Sequence, residues 1–303
     1  MLVRQGDRGP RVSEVQKLLS LLGYDLIIDG DFGSRTTRSV RSFQKKFNLD
    51  IDGIIGIKTY QTLKAAQKRG SKEKGGADSN EYKEIEITIR ELGDEQYIKQ
   101  VLDKNQIFLH FTAGGPSAKS VINWWDSTES RISTSYVIDG NDGVIYECFN
   151  PKYWSFHLGV KGTRGKLDKN SIGIEICNWG PLDKKNGKYY GWPAKKYKNW
   201  TEKYEVKEAE VLKLDTPHRG YSYYHKITDK QIESLEKLLI YLVIEYNIPV
   251  NEIFGDDWYE YQDHVIKNVT PGIWNHVNVR KDKYDLCPDS RVTSILNGLK
   301  NKI

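Results

Sequence analysis

The chain has 303 residues, more than one hydrophobic core usually supports, so two domains are expected. Its 38% hydrophobic and 12% aromatic content excludes a disordered polymer, and no stretch approaches the roughly 18 apolar residues of a membrane span. The formal charge of +5 is unevenly placed: residues 1–66 hold 11 Lys and Arg against 7 Asp and Glu, residues 67–83 hold 5 against 3, and the remainder is near neutral.

A basic N-terminal part suits either a solvated surface or an anionic polymer as partner. Nucleic acid is not expected, because no recognition helix or aromatic-stacking signature accompanies the charge. No membrane partner is expected either, and the chain reads as a monomer. Three cysteines at wide spacing (Cys148, Cys177 and Cys287) argue against a disulfide framework and fit a reducing compartment. The first residues lack an apolar signal region, so synthesis in the cytoplasm without a signal peptide is the expectation.

In chain order, Val12, Val15, Leu18, Leu19 and Leu22 keep helical spacing, as do Val40, Phe43 and Phe47. Between and after them stands a short repeat, Ile28-Asp29-Gly30-Asp31-Phe32-Gly33-Ser34-Arg35-Thr36 and Ile51-Asp52-Gly53-Ile54-Ile55-Gly56-Ile57-Lys58-Thr59. Each copy offers glycines for a tight turn and a threonine to cap the next helix. A small all-α three-helix domain is predicted over 1–66. The polar, glycine-bearing run from Gln67 to Gly76 opens a linker over 67–83.

Residues 84–303 alternate extended and helical patterns. Gln106 to Phe111, Ser135 to Asp139, Val144 to Phe149 and Ser171 to Cys177 read as strands; Val121 to Trp125 and Gln231 to Tyr246 read as helices. The expected fold is α/β, a central mixed sheet flanked by helices.

Chemistry gathers in this second part. His110 closes an apolar strand, Glu175 lies inside another, and His276 opens a stretch that ends Lys283-Tyr284-Asp285. Zinc accepts imidazole nitrogen and carboxylate oxygen, and a catalytic site keeps three protein ligands and one open position. A carboxylate outside the ligand set can take a proton from water, and a lysine can steady an oxyanion. The residues alone reach a zinc-assisted hydrolase. Glu175, between isoleucines, also fits a buried structural carboxylate, but such burial demands a partner, and a zinc-bound water supplies one. His218, His225 and His264 lack ligand spacing and read as surface or packing residues.

Two resemblances refine this. Residues 2–64 resemble the type 1 peptidoglycan-binding domain, through Gly6-Asp7-Arg8-Gly9, Val12 to Gln16, the Asp-Gly turns and Phe43-Gln44. Residues of about 105–290 resemble the zinc-dependent N-acetylmuramoyl-L-alanine amidases of the amidase-2 family. The marks are Leu109-His110-Phe111-Thr112, Tyr136-Val137-Ile138-Asp139, Trp154-Ser155-Phe156-His157-Leu158-Gly159, Ser171-Ile172-Gly173-Ile174-Glu175, and His276 to Pro288. An insertion over 181–225, rich in Lys, Tyr and Trp, has no counterpart.

The resemblance implies Zn2+ held by His110, His276 and a third ligand, Glu175 as general base, and Lys283 at the oxyanion. The third ligand is expected to be Asp285, because the Lys283-x-Asp285 spacing is kept, with Cys287 of the Cys-Pro pattern as the alternative. His157 and Tyr136 match positions near substrate; for His157, substrate contact and simple packing are both open. The implied substrate is bacterial peptidoglycan, cut between N-acetylmuramic acid and L-alanine at the cell wall after release, in the layout of a phage endolysin or an autolysin. A non-catalytic recognition protein and a stem-peptide endopeptidase are the alternatives.

Overall fold

The computed structural model describes residues 3–72, 85–251 and 254–303. The chain divides into two compact units, Met1–Glu84 together with Tyr241–Asn247, and Ile85–Ile240 together with Ile248–Ile303.

In the first unit the expected helices are α1 (Pro10–Leu21), α2 (Ser34–Lys46) and α3 (Ile57–Lys72). Their apolar stripes meet in a core that includes Val12, Val15, Leu19, Phe32, Val40, Phe43, Ile55 and Leu63. Two glutamines lie inside this unit, and they explain the repeat. The Gln16 side-chain amide donates to Asp29 Oδ1 at 2.8 Å, to the Asp31 carbonyl at 3.0 Å and to Thr36 Oγ1 at 3.2 Å, while Gln16 Oε1 accepts from Gly30 N at 2.9 Å. Gln44 repeats the set on Asp52, Ile54, Thr59 and Gly53 at 2.7, 2.9, 3.2 and 2.9 Å. Gly30 and Gly53 adopt φ of +73° and +78°, a left-handed turn that glycine takes without strain.

Two expectations change. Thr36 and Thr59 do not cap helices; they sit inside α2 and α3 as acceptors for the glutamine amides, and Gly33 takes the cap position of α2 without a side-chain bond. The helix α3 also continues to Lys72, into the segment read as linker, since Gln, Lys and Arg propagate a helix well and one glycine costs only about 1 kcal/mol. Residues 73–83 of that segment lie outside the described residues.

The second unit starts with β1 (Ile87–Ile89), β2 (Gln106–Phe111), α4 (Ala118–Asp126), β3 (Tyr136–Ile138), β4 (Ile145–Glu147), α5 (Lys166–Asn170) and β5 (Ser171–Ile176). The 181–225 segment adds β6 (Leu182–Lys185), β7 (Lys188–Gly191), α6 (Trp192–Lys196), β8 (Glu205–Val206), β9 (Val211–His218) and β10 (Tyr221–His225). Then come α7 (Asp229–Tyr246), of which the part up to Ile240 belongs to this unit, α8 (Asp263–Asn268), β11 (Gly272–Asn275) and α9 (Ser290–Gly298).

Among the described residues the main sheet runs β1-β4-β3-β5-β2-β11. Strands β3, β5, β2 and β11 are parallel, and β4 runs antiparallel to β3, so the sheet is mixed. Every residue of β2 is buried, as a central strand covered on both faces requires. The helix α7 buries Leu235, Leu238 and Leu239, and its Gln231 amide donates to the carbonyls of Ile138 and Cys177 just where β3 and β5 end. In the 181–225 segment β6, β7 and β8 form one small sheet and β9 and β10 another, over a core of Leu182, Tyr189, Val206 and Val211.

Candidate metal centre and catalytic cavity

Three adjacent parallel strands bring the candidate residues together. His110 lies near the carboxyl end of β2, its register partner Glu175 near that of β5, and His276 follows directly on β11. Ligands in parallel α/β sheets gather beyond these strand ends. Asp285 arrives on the loop after His276, and the Val277 N–H donates to the Asp285 carbonyl at 2.9 Å, fixing that loop against the histidine.

The geometry is that of a donor group. His110 Nδ1 is 3.0 Å from His276 Nδ1 and 3.1 Å from Asp285 Oδ2, and His276 Nδ1 is 3.0 Å from the same oxygen. All three residues are buried. Two imidazoles and one carboxylate are the donors zinc takes in a catalytic site, with a fourth position left for water or substrate. The outer ring nitrogens are also engaged: His276 Nε2 donates to the Leu158 carbonyl at 2.9 Å, and His110 Nε2 meets His157 Nδ1 at 3.0 Å. Metal-binding histidines characteristically use their second nitrogen in this way.

Burial and charge set the protonation states. The His110 imidazole is pushed down to about 4, chiefly by burial and then by His276, with Asp285 opposing. Burial pushes the Asp285 carboxyl up, but His276 and the bonds from both histidines outweigh it and hold the carboxyl far below its ordinary range. A neutral imidazole and an ionised carboxylate are the forms in which such side chains ligate a dication. Glu175 goes the other way: burial first, then Asp285, raise its carboxyl well above the ordinary value, with Lys283 opposing. Its Oε2 is buried with no hydrogen-bond partner among the described residues. Such an orphaned acceptor costs about 1–3 kcal/mol and marks a place where water or ligand belongs.

These groups open into a cavity of about 540 Å³ that His110, His157, Glu175, His276, Lys283 and Asp285 all line. The exposed aromatics Trp124, Trp192 and Tyr284 line it too. Trp192 comes from the 181–225 insertion, whose role the residues alone do not show; its indole Nε1 donates to the Ala113 carbonyl at 2.6 Å. The only advance signal for it was the density of tryptophan and tyrosine in that segment.

Three sequence-derived assignments read differently in the structure. Tyr136 is fully buried, donates to Glu147 Oε2 at 2.9 Å and does not line the cavity, because its register position turns it into the sheet's packed face. His157 reaches the cavity but spends both ring nitrogens, on His110 and on Ser171 Oγ at 2.8 Å, which places it behind the donor group. Gly173 makes room for it: a Cβ there would sit 3.0 Å from His157 Nδ1 and 2.7 Å from Thr134 Cγ2. Cys287 is buried outside the donor group, and burial raises its thiol well above the ordinary value. Of the other histidines, His225 Nδ1 accepts from the Trp179 N–H at 3.2 Å, His218 packs beside Tyr224 and Tyr259, and His264 meets Trp274 edge-on.

Fold and donor group together define an α/β domain built around a His-His-Asp centre. The family model described as N-acetylmuramoyl-L-alanine amidase matches residues 101–288, and the chain belongs to that family. Residues 8–63 match the model of a peptidoglycan binding domain. Among solved structures, the chain is similar to a peptidoglycan-binding protein from Clostridioides difficile, at 48% identity over 21% of this chain and 40% of that one, with a TM-score of 0.21. It is similar as well to the endolysin of Burkholderia AP3 phage, at 45% identity over 21% and 25% of the two chains, TM-score 0.21. The catalytic domain of PlyG matches at 15% identity over 72% of this chain and 94% of that one, TM-score 0.41. The chain thus spans less than half of the first two structures.

Proposed function

We propose that this chain is a zinc-dependent amidase that hydrolyses the bond between N-acetylmuramic acid and L-alanine in bacterial peptidoglycan, in the manner of an endolysin. The observation that carries the reading is the meeting of His110 Nδ1, His276 Nδ1 and Asp285 Oδ2 within 3.1 Å, in one cavity with Glu175, whose Oε2 has no partner among the described residues.

His110, His276 and Asp285 would hold the metal. Bound zinc supplies Lewis acidity toward water and toward an amide carbonyl oxygen. Glu175 takes the proton of the attacking water at its carboxylate and returns it to the departing L-alanine nitrogen. Its raised affinity for that proton, set first by burial, suits a group that must accept the proton of a water molecule. The half-buried Lys283 lines the same cavity and brings an ammonium toward the carbonyl oxygen as negative charge develops there. Residues 1–66 serve as a wall-binding unit that raises the local substrate concentration, joined through 67–83 to a catalytic unit over 84–303. Among the described residues no helix is long and apolar enough to cross a membrane, which fits action at the wall.

Mass analysis of digested sacculi tests the reading. Amidase action leaves intact stem peptides with new free L-alanine amino termini. New termini inside the stem would mean an endopeptidase, and undigested walls a recognition protein.

A further inference from the structure

The outer nitrogens of both candidate histidine ligands end on two consecutive residues. His276 Nε2 meets the Leu158 carbonyl at 2.9 Å, and His110 Nε2 meets the His157 ring at 3.0 Å. A carbonyl only accepts, so His276 Nε2 carries the hydrogen and its Nδ1 lone pair is left facing Asp285 and His110. The same tautomer in His110 requires His157 Nδ1 to accept and His157 Nε2 to donate. Ser171 Oγ lies 2.8 Å from that Nε2 and passes its own hydrogen to the Leu167 carbonyl at 2.8 Å. The relay closes with every donor matched to an acceptor.

What fixes residues 157 and 158 is a single carboxylate. Asp168, on α5 and 2% exposed, accepts the His157 N–H at 3.0 Å and the Leu158 N–H at 2.9 Å, both on Oδ1. It lies outside the donor group and does not line the cavity. We infer that Asp168 is the positioning residue for both ligand histidines: by pinning the His157–Leu158 backbone it orients the ring that orders His110 and the carbonyl that orders His276. The inference rests on the reading of those histidines as metal ligands.

The test uses the full chain, stripped of metal, with Asp168→Ala and Asp168→Asn beside the unaltered protein. Zinc affinity is measured by competition with a chromophoric chelator. Imidazole tautomers in the metal-free protein are read from nitrogen-15 NMR, and folding is monitored by circular dichroism. Asp168→Ala should weaken zinc binding by roughly 10–100-fold, the usual loss for a group behind a metal ligand. It should also blur the Nε2–H tautomers of His110 and His276 while the fold survives. Asp168→Asn keeps an acceptor oxygen for both N–H groups and should restore tautomers and most of the affinity. If Asp168→Ala does not fold, Asp168→Ser replaces it in the same comparison.

Unchanged affinity and tautomers in folded Asp168→Ala overturn the inference. So does an equal loss in Asp168→Asn, which would point to buried charge rather than to the backbone clamp. If the unaltered chain binds no zinc, the metal reading itself falls, and the tautomers alone decide what Asp168 does.

Discussion

His110 and Glu175 are register partners on the adjacent parallel strands β2 and β5, so their side chains leave the sheet on the same face, one strand spacing apart. The offset between the candidate metal ligand and the candidate base is therefore set by the backbone ladder of the sheet. Neither side chain depends on a loop for its place, and a site built on strands holds its geometry more tightly than one built on loops.

That placement keeps the roles separable. Glu175→Gln should retain zinc, since it removes no member of the His110, His276 and Asp285 group, and should lower turnover by roughly 10²–10⁴-fold. Metal content and muropeptide hydrolysis check this together. Loss of zinc in this variant would move Glu175 into the ligand set.

The third ligand is open to a direct comparison. Asp285→Ala leaves two neutral imidazoles to hold a dication and should abolish tight zinc binding. Cys287→Ser should leave metal and activity within about twofold, because the thiol lies outside the donor group. A thiolate charge-transfer band in the cobalt-substituted protein, lost in Cys287→Ser, would reverse this assignment.

The placing of His110 and Glu175 near strand ends could be read in the sequence, because both sit in strongly apolar strands whose period and boundaries are visible in composition. The preference for Asp285 over Cys287 rests there on the Lys-x-Asp spacing alone, since a single residue, Leu286, separates the two and the loop's path decides which one faces His276. Tyr136 misled for a similar reason: pattern places it on a strand near the site but does not say which face it takes. His157 could be matched to a position but not to a role, which emerges only when Ser171 and His110 are seen at its two nitrogens. In the first unit, the repeated glycines and threonines were legible, whereas their common partner, a buried glutamine one helix earlier, was not.

That glutamine makes a prediction for targeting. Gln44→Leu removes the acceptor of the Gly53 N–H and the donor to the Ile54 carbonyl and Thr59 Oγ1, and leaving such buried groups unpaired costs about 1–3 kcal/mol. The variant should unfold its first unit at lower temperature and bind wall sacculi less, while cleaving soluble muropeptides at the normal rate. Undiminished sedimentation with sacculi would remove residues 1–66 from a targeting role.

The insertion makes another. Trp192 presents an exposed indole to the cavity, anchored through its N–H to Ala113. If substrate rests against that ring, Trp192→Ala should raise KM for muropeptides by about tenfold, the equivalent of about 1.4 kcal/mol of aromatic contact, with kcat and zinc content little changed. Equal kinetic constants would leave the insertion without a part in substrate binding.

The last prediction concerns Lys104, whose ammonium donates to the Lys169 carbonyl at 2.8 Å beside the Asp168 segment. The side chain is buried, and desolvation pushes its pKa down from 10.5 to about 7, with Asp168 opposing. In the unfolded chain the lysine keeps its proton up to its ordinary value. Between pH 7 and 10.5 the unfolded state therefore holds the Lys104 proton more, and the Lys104 contribution to stability rises with pH across that window. Below the window both states are protonated, so the cost of burying the charge is present in full. Lys104→Met removes the titration and keeps the volume. Its stability relative to the unaltered protein should be greatest near pH 6 and should shrink as pH rises from 7 to 10, by at most about 1.4 kcal/mol per pH unit. Denaturant unfolding of both proteins at a series of pH values measures the difference. Parallel stability curves for the two would mean that Lys104 stays charged in the fold, with Asp168 compensating its burial in full.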